Sequence, residues 1–206
     1  MNILAHGYLS TVPDSLITDD LLLGNFLGDF IKGDPTHPRH KLTPGVITGI
    51  RLHRAIDTFT DAHSDVALVR NRLHPRCHKY AGVAVDVFFD HFLSRNFVEL
   101  TGQPLSTFTD YYYTTLRQAA DSGNAFPEPA RRMLTAMIQY DWIPYYATFD
   151  GVERSLRGIA RRTSFPSGLE TAVADLERYY DEFEAAFGRF WPSLVAHAAA
   201  QPIKLV

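Results

Sequence analysis

A chain of 206 residues with 46% hydrophobic and 21% charged residues is long enough to bury a substantial core and too apolar to be disordered. Its formal net charge of −3 excludes the strong positive field of a protein that wraps nucleic acid, so we expect no nucleic-acid partner. The single cysteine, Cys77, excludes an intramolecular disulfide and a thiolate metal cluster and fits a reducing compartment.

The first residues show neither the basic segment nor the long apolar stretch of a secretory signal. The most apolar early segment, residues 21–31, is interrupted by Asn25 and Asp29, and it is far shorter than the roughly 20 residues that span a membrane. We therefore expect a cytoplasmic protein with no membrane span.

Helical periodicity runs through the chain, and the period-two alternation of strands is nearly absent. Apolar spacing predicts a first helix over residues 18–32, which Gly33-Asp34-Pro35 ends, and Pro44-Gly45 opens a second over residues 44–62. The further predicted helices cover residues 65–76 (with Ser64 as N-cap), 80–97, 105–120, 129–139, 150–162 (after a break at Pro144), 169–187 and 191–200. The sequence thus predicts an all-α, single-domain bundle over residues 1–206 with about eight to ten helices.

Ionisable side chains inside the apolar helices carry the chemical information, because burying them is costly unless they are paired or bind a metal. In the segment AGVAVDVFFDHFLSRNF, Asp86 and Asp90 lie four residues apart on one helix face, and His91 is adjacent. Two like charges in so apolar a segment call for a positive partner.

The second predicted helix shows a related pattern. His53, Asp57 and Asp61 follow one another at intervals of four residues along one face, Asp29 follows Asn25 by four residues, and His6 lies in a short apolar segment. Mixed histidine and carboxylate ligands suit Mn²⁺, Fe²⁺, Mg²⁺ or Zn²⁺. A cation held in this way activates water and neutralises phosphoryl oxygens.

Each of these residues alone has a structural interpretation as a helix cap or as the ion-pair partner of an arginine. For Asp61 and Asp86 the structural and functional interpretations balance, and for His6 alone the structural one is favoured. The repetition of the pattern on several helices favours a metal site over a set of independent structural explanations.

Four segments, MNILAH, GNFLGDFIKG, GIRLHRAIDTFTD and DVFFDHFLSRNF, resemble the acyl carrier protein phosphodiesterases. They occur in the family's order, and residues 153–162 and 190–192 extend the resemblance towards the end of the chain. The resemblance implies a divergent HD-type helical fold, although Asp90-His91 reverses the usual His-Asp order. It also implies a divalent metal, usually Mn²⁺ with Mg²⁺ or Fe²⁺ possible. The implied reaction hydrolyses holo-acyl carrier protein, a small acidic protein, to apo-acyl carrier protein and 4′-phosphopantetheine.

The resemblance also implies roles for individual residues. The expected metal ligands are His6, Asp29, Asp57, Asp90 and His91. The expected catalytic residues are His53, Asp61, Asp86, Lys32 and Arg54. In the hypothetical mechanism, Asp61 or Asp86 orients the attacking water, and His53 or His91 protonates the leaving serine oxygen. The phosphate oxygens are neutralised by Lys32, Arg51 or Arg54. A basic helix face is expected to contact the carrier protein through Arg154, Arg157, Arg161 and Arg162.

Two other functions remain open from the residues. One is an HD-type metal phosphohydrolase that acts on a nucleotide or another small phosphodiester. The other is a non-catalytic helical binding protein whose buried Asp and His residues only form ion pairs.

Overall fold

The computed structural model describes residues 2–13, 15–122 and 126–202. Over these ranges it contains twelve α-helices and no strand, which confirms the predicted all-α class. The helices are α1 (Ile3–Leu9), α2 (Thr18–Leu27), α3 (Pro44–Ala62), α4 (Ser64–Cys77), α5 (Ala81–Arg95), α6 (Phe97–Thr101), α7 (Leu105–Asp121), α8 (Glu128–Gln139), α9 (Trp142–Tyr145), α10 (Phe149–Ala160), α11 (Val173–Arg178) and α12 (Tyr180–Ala199). None of the helices in the described ranges is both long and apolar enough to cross a lipid bilayer.

The central helices follow the predicted bounds closely, and α3 has the predicted start and end. The first predicted helix is too long, because α2 ends at Leu27 and the next residues form a turn in which the amides of Phe30 and Ile31 donate to the Leu27 carbonyl. Asp29 therefore lies in this turn and not on a helix. The predicted N-cap of α4 is wrong by one residue, since the ring of His63 accepts the capping hydrogen bond in place of Ser64.

The C-terminal helices are divided differently from the prediction. The predicted helix over residues 169–187 is split into a 3₁₀ turn, Leu169–Thr171, the short helix α11 and the start of α12. Helix α12 then continues past Pro192, although an internal proline costs a helix about 3 kcal/mol. The buried side chains of Phe190, Trp191 and Leu194 keep α12 on the core and offset this cost.

Helix α5 lies at the centre of the fold, as its apolar sequence predicts. Eleven of its fifteen residues are buried, and α1, α4, α10 and α12 all pack against it. Its phenylalanines contact aromatic residues of α12, for example Phe89 against Phe187 at a ring-centroid distance of 5.4 Å. An ionisable residue on α5 is therefore surrounded by other helices, which is why Asp90 and His91 are fully buried.

Helices α2 and α3 cross at a pair of glycines. A Cβ atom on Gly24 would lie 2.1 Å from the Val46 carbonyl oxygen, and one on Gly49 would lie 2.4 Å from the Leu21 carbonyl oxygen. The two backbones are therefore in direct contact, and neither position admits a side chain. This crossing brings Asn25, which follows Gly24, beside His53, which lies one turn after Gly49.

Candidate metal centre

Three polar side chains, one from α1 and two from α3, converge beside α2, against which both helices pack. Nε2 of His6 lies 3.1 Å from Oδ1 of Asp57, and Nε2 of His53 lies 3.1 Å from Oδ2 of the same carboxylate. One ligand atom from each residue lies within 4.8 Å of the others. The two imidazole rings are stacked with their centroids 4.3 Å apart. Two ring nitrogens and a carboxylate thus face one small volume, which is a donor set that could hold a divalent cation.

Asp29 is the fourth polar residue beside this cluster. Its Oδ1 lies 3.5 Å from Nε2 of His53, and its side chain is 77% exposed. Arg54 fixes the turn that carries Asp29, because its guanidinium donates to the carbonyls of Ile31 at 3.1 Å and Gly33 at 2.8 Å. The sequence predicts that Arg54 contacts phosphate, whereas in the structure its Nη2 atom donates to these two backbone carbonyls.

Asn25 is a site residue to which the sequence analysis assigned no role. Its side-chain oxygen lies 2.8 Å from Nδ1 of His6 and 3.1 Å from Nδ1 of His53. Its side-chain nitrogen donates to the His6 carbonyl and to the Ser10 hydroxyl, each at 2.9 Å. The position of Asn25 in the sequence could have indicated this role. An amide inside an apolar helix is costly to bury unless its polar atoms form hydrogen bonds.

The cluster is strongly coupled electrostatically. Burial lowers the pKa of His6. Burial would also lower the pKa of His53, but hydrogen bonds to Asp29 and Asp57 outweigh it and raise that pKa to about 9. Burial favours the neutral form of Asp57, yet the hydrogen bonds from His53 and His6 hold its pKa well below the usual range. The carboxylate is therefore ionised at all physiological pH values and available as a ligand.

Asp90 and His91 lie outside this cluster. The Asp90 carboxylate accepts hydrogen bonds from the backbone amides of Leu4 at 2.8 Å and Ala5 at 3.3 Å. Burial raises the pKa of Asp90 to about 7, although these amides favour its charged form. His91 donates from Nδ1 to the Tyr146 carbonyl at 2.8 Å, which leaves Nε2 to accept from the Tyr180 hydroxyl at 3.2 Å. The geometry thus gives both residues partners other than the candidate metal. Asp90 supports the first turn of α1, the helix that presents His6.

The remaining predicted catalytic residues lie at the edge of the cluster. Asp61 is exposed one turn beyond Asp57 on α3, and Lys32 is exposed in the segment after α2. Asp86 is partly buried on α5. Burial raises the pKa of Asp86, and the negative charges of Asp57 and Asp61 raise it further. Asp86 is therefore close enough to Asp57 to interact with the cluster through charge, and Asp61 is close enough to interact with Asp86.

The predicted partner-binding arginines belong to a different part of the molecule. On α10, Arg154 pairs with Asp150 at 3.0 Å and Arg157 pairs with Glu153 at 2.7 Å. The side chains of Arg157 and Arg161 line an open cavity of about 510 Å³ with residues 163–167. Arg162 is exposed just beyond the end of the helix. Helix α10 packs mainly against the 3₁₀ turn Leu169–Thr171 and against α5, whereas the cluster of His6, His53 and Asp57 is built on α1 and α3.

Comparison with known proteins identifies the family. A family model described as acyl carrier protein phosphodiesterase matches residues 1–194. The acyl carrier protein phosphodiesterase of Photorhabdus laumondii is 31% identical over 198 residues, which cover 96% of this chain and 95% of that protein. The protein of the same name from Salmonella agona is 31% identical over 208 residues, which cover 98% of this chain and 100% of that protein. No solved structure gives a significant match. The chain belongs to the acyl carrier protein phosphodiesterase family.

Proposed function

We propose that this protein is a phosphodiesterase that cleaves holo-acyl carrier protein into apo-acyl carrier protein and 4′-phosphopantetheine with the help of a divalent cation. The names of the relatives and the near-complete coverage of both chains support the substrate. The observation that carries the chemistry is the convergence of His6, His53 and Asp57. Mn²⁺ is the preferred cation of the proposal, with Mg²⁺ and Fe²⁺ as alternatives, because two imidazoles with carboxylates suit these ions.

The residues present fit such a cation. Ligands about 2.1 Å from a metal and at right angles to one another are about 3.0 Å apart. Nε2 of His6 and Nε2 of His53 each lie 3.1 Å from an Asp57 oxygen, the first from Oδ1 and the second from Oδ2. Without a cation, a neutral His6 has one ring proton for two acceptors, the Asn25 oxygen beside Nδ1 and the Asp57 carboxylate beside Nε2. One of these two contacts then brings two lone pairs together. A cation between the three groups removes this conflict.

The cation would supply the Lewis acidity that phosphodiester hydrolysis requires. Asp29, an exposed carboxylate beside the cluster, would hydrogen-bond the attacking water together with Asp61. Burial raises the pKa of Asp86. Asp86 would therefore donate the proton that the serine oxygen needs as it leaves. Lys32 would neutralise a non-bridging phosphate oxygen. His91 is less suited to proton transfer, because both of its ring nitrogens have buried partners.

The chemistry of the substrate places the carrier protein close to the cluster. The bond to be cleaved joins phosphorus to a serine oxygen of the carrier, so the carrier surface around that serine must lie beside the cation. The segment after Asp29 carries basic residues, and the guanidinium of Arg39 donates to the Lys32 carbonyl at 3.2 Å. Arg51 of α3 lies close to this segment. Its charge helps to lower the pKa of Asp34, although hydrogen bonds from Thr36 have the larger effect. We propose that Lys32, Arg39 and Arg51 contact the acidic carrier protein.

The catalytic proposal is tested by incubating the purified protein with holo-acyl carrier protein, with and without Mn²⁺, and measuring the intact mass of the carrier. We expect a Mn²⁺-dependent loss of the phosphopantetheine group. Asp57→Asn should abolish this loss, and Asp110→Asn, which changes an exposed carboxylate on α7, should not. Hydrolysis of a free nucleotide phosphodiester with no action on the carrier would instead favour a small-molecule phosphohydrolase. Failure to bind Mn²⁺ or to cleave any phosphodiester would favour a binding protein.

The docking proposal is tested by comparing two double charge reversals. Arg39→Glu with Arg51→Glu changes the surface beside the cluster, and Arg157→Glu with Arg161→Glu changes the α10 surface. We expect the first pair to raise the KM for holo-acyl carrier protein at least tenfold and to make this KM less dependent on salt concentration. The reason is that charges at the edge of an interface steer association. The opposite result would assign docking to α10, as the sequence predicts.

A further inference from the structure

A single side-chain amide serves both histidines of the cluster. The oxygen of Asn25 faces Nδ1 of His6 at 2.8 Å and Nδ1 of His53 at 3.1 Å. The orientation of this amide is determined by its other end, where the nitrogen donates to the His6 carbonyl at 2.9 Å. A carbonyl oxygen can only accept hydrogen bonds, so a rotated amide would place two acceptors against each other. The oxygen must therefore point at the two rings.

This orientation determines where the ring protons lie. An amide oxygen only accepts, so each Nδ1 must carry a proton in order to bond Asn25. A neutral imidazole has one proton, and both Nε2 atoms then keep their lone pairs on the side of Asp57. We propose that Asn25 is the positioning residue of the metal centre, which holds His6 and His53 together in the tautomer that binds a cation through Nε2. This inference rests on the proposed metal-dependent function.

The position of Asn25 explains why one side chain can do this for two ligands. It is 1% exposed and lies on α2 at the glycine crossing with α3. The close approach of the helices brings His53 within reach, and the hydrogen bond to the His6 carbonyl ties the amide to α1. Metal-binding histidines commonly donate their second ring nitrogen to such a partner, and loss of the partner typically reduces metal affinity by about 10–100-fold. Two ligands depend on Asn25, so we expect an effect at the upper end of this range.

Two measurements test the proposal. The first is the Mn²⁺ affinity, determined by calorimetry without substrate, of Asn25→Leu, which approximates the shape and removes the hydrogen bonds. Ser10→Ala is the matched control, because it removes the other acceptor of the Asn25 amide and a hydrogen bond to the His6 main-chain carbonyl, but no contact to either histidine ring. We expect a loss of about 30–100-fold for Asn25→Leu and less than about threefold for Ser10→Ala. Equal affinities for Asn25→Leu and wild type would overturn the proposal.

The second measurement uses the wild-type protein, so it does not depend on whether a variant folds. Nitrogen-15 NMR of the histidine rings in wild-type protein with bound Mg²⁺, which is diamagnetic, reports which ring nitrogen carries the proton. We expect the Nδ1–H form for both His6 and His53, whereas free imidazole side chains favour Nε2–H. An Nε2–H form at either ring would overturn the proposal. This readout is independent of catalysis, so a protein without phosphodiesterase activity would fail the proposed function and still give a definite answer here.

Discussion

Replacement of Gly28 by alanine tests the geometry of the cluster with a single methyl group. Gly28 follows α2 with helical backbone angles, φ −53° and ψ −40°, so alanine adds no backbone strain and would ordinarily stabilise the protein by about 0.4–1 kcal/mol. Its Cβ, however, would lie 2.2 Å from Cγ of His53. The ring would have to move by more than about 1 Å to reach the ordinary carbon–carbon separation of about 3.5 Å.

His53 has little room for this movement, because its ring is buried and stacked on His6. Overpacking of this kind costs about 1–3 kcal/mol, which exceeds the gain from the lost glycine. We therefore expect Gly28→Ala to unfold at lower urea concentration than wild type and to bind Mn²⁺ at least tenfold more weakly.

Gly188→Ala is the matched control for this experiment. Gly188 lies inside α12, and no heavy atom is within 4 Å of an added Cβ. We expect it to stabilise the protein by about 0.5–1 kcal/mol, with unchanged Mn²⁺ affinity. Urea unfolding in the presence of a chelator measures the stability, and calorimetry with Mn²⁺ measures the affinity. If Gly28→Ala matches Gly188→Ala in stability and in Mn²⁺ binding, His53 does not pack on Gly28 and the described cluster is wrong.

Three further predictions concern α3 and the turn after α2. Gly49→Ala should destabilise the fold by at least about 1–3 kcal/mol in urea unfolding, because the added Cβ would lie 2.4 Å from a carbonyl oxygen of α2 that cannot move independently. The metal-free protein should lose stability as pH rises from about 6.5 to 9. Because the His53 pKa is raised, the folded state holds a proton that the unfolded state releases in this range. At about 1.4 kcal/mol per pH unit, the free energy of unfolding falls by at most about 3 kcal/mol over this range. Urea unfolding at several pH values measures this loss, and an equal loss in a His53→Gln variant would contradict the prediction. Arg54→Ala should weaken Mn²⁺ binding and cost about 1–2 kcal/mol of stability, because two carbonyls in the turn that carries Asp29 lose their donor. An Arg54→Ala protein with unchanged Mn²⁺ affinity would show that the turn does not depend on this arginine.

The part of the site that lies on one helix was predictable from the sequence. His53 and Asp57 are four residues apart on α3, and this spacing alone places both side chains on one face. The bounds of α3 were also correct, because Pro44 opens the helix and Thr43 caps it with a hydrogen bond from the Val46 amide. Local rules of this kind determine which side chains of a helix can act together.

The roles of Asp90 and Asn25 could not be read in this way. Asp90 has the spacing and burial of a metal ligand, but its partners are backbone amides 85 and 86 residues earlier in the chain. Backbone donors leave no trace in side-chain patterns, so a cap supplied by a distant helix resembles a ligand. The importance of Asn25 depends on the contact between Gly24 and Gly49, which is a tertiary property. The length of α12 shows the same limit, because burial of Phe190 and Trp191 overrides the helix-breaking tendency of Pro192.

The bond between Asp90 and the start of α1 has a consequence for local opening of the fold. The first amides of a helix have no partner within it and normally exchange with solvent hydrogen quickly. Leu4 and Ala5 are instead fully buried, and their amides are bonded to a carboxylate of the central helix. Their exchange therefore requires α1 to detach from α5. In a hydrogen-exchange experiment these two amides report how often α1 detaches, and each detachment carries His6 away from His53 and Asp57.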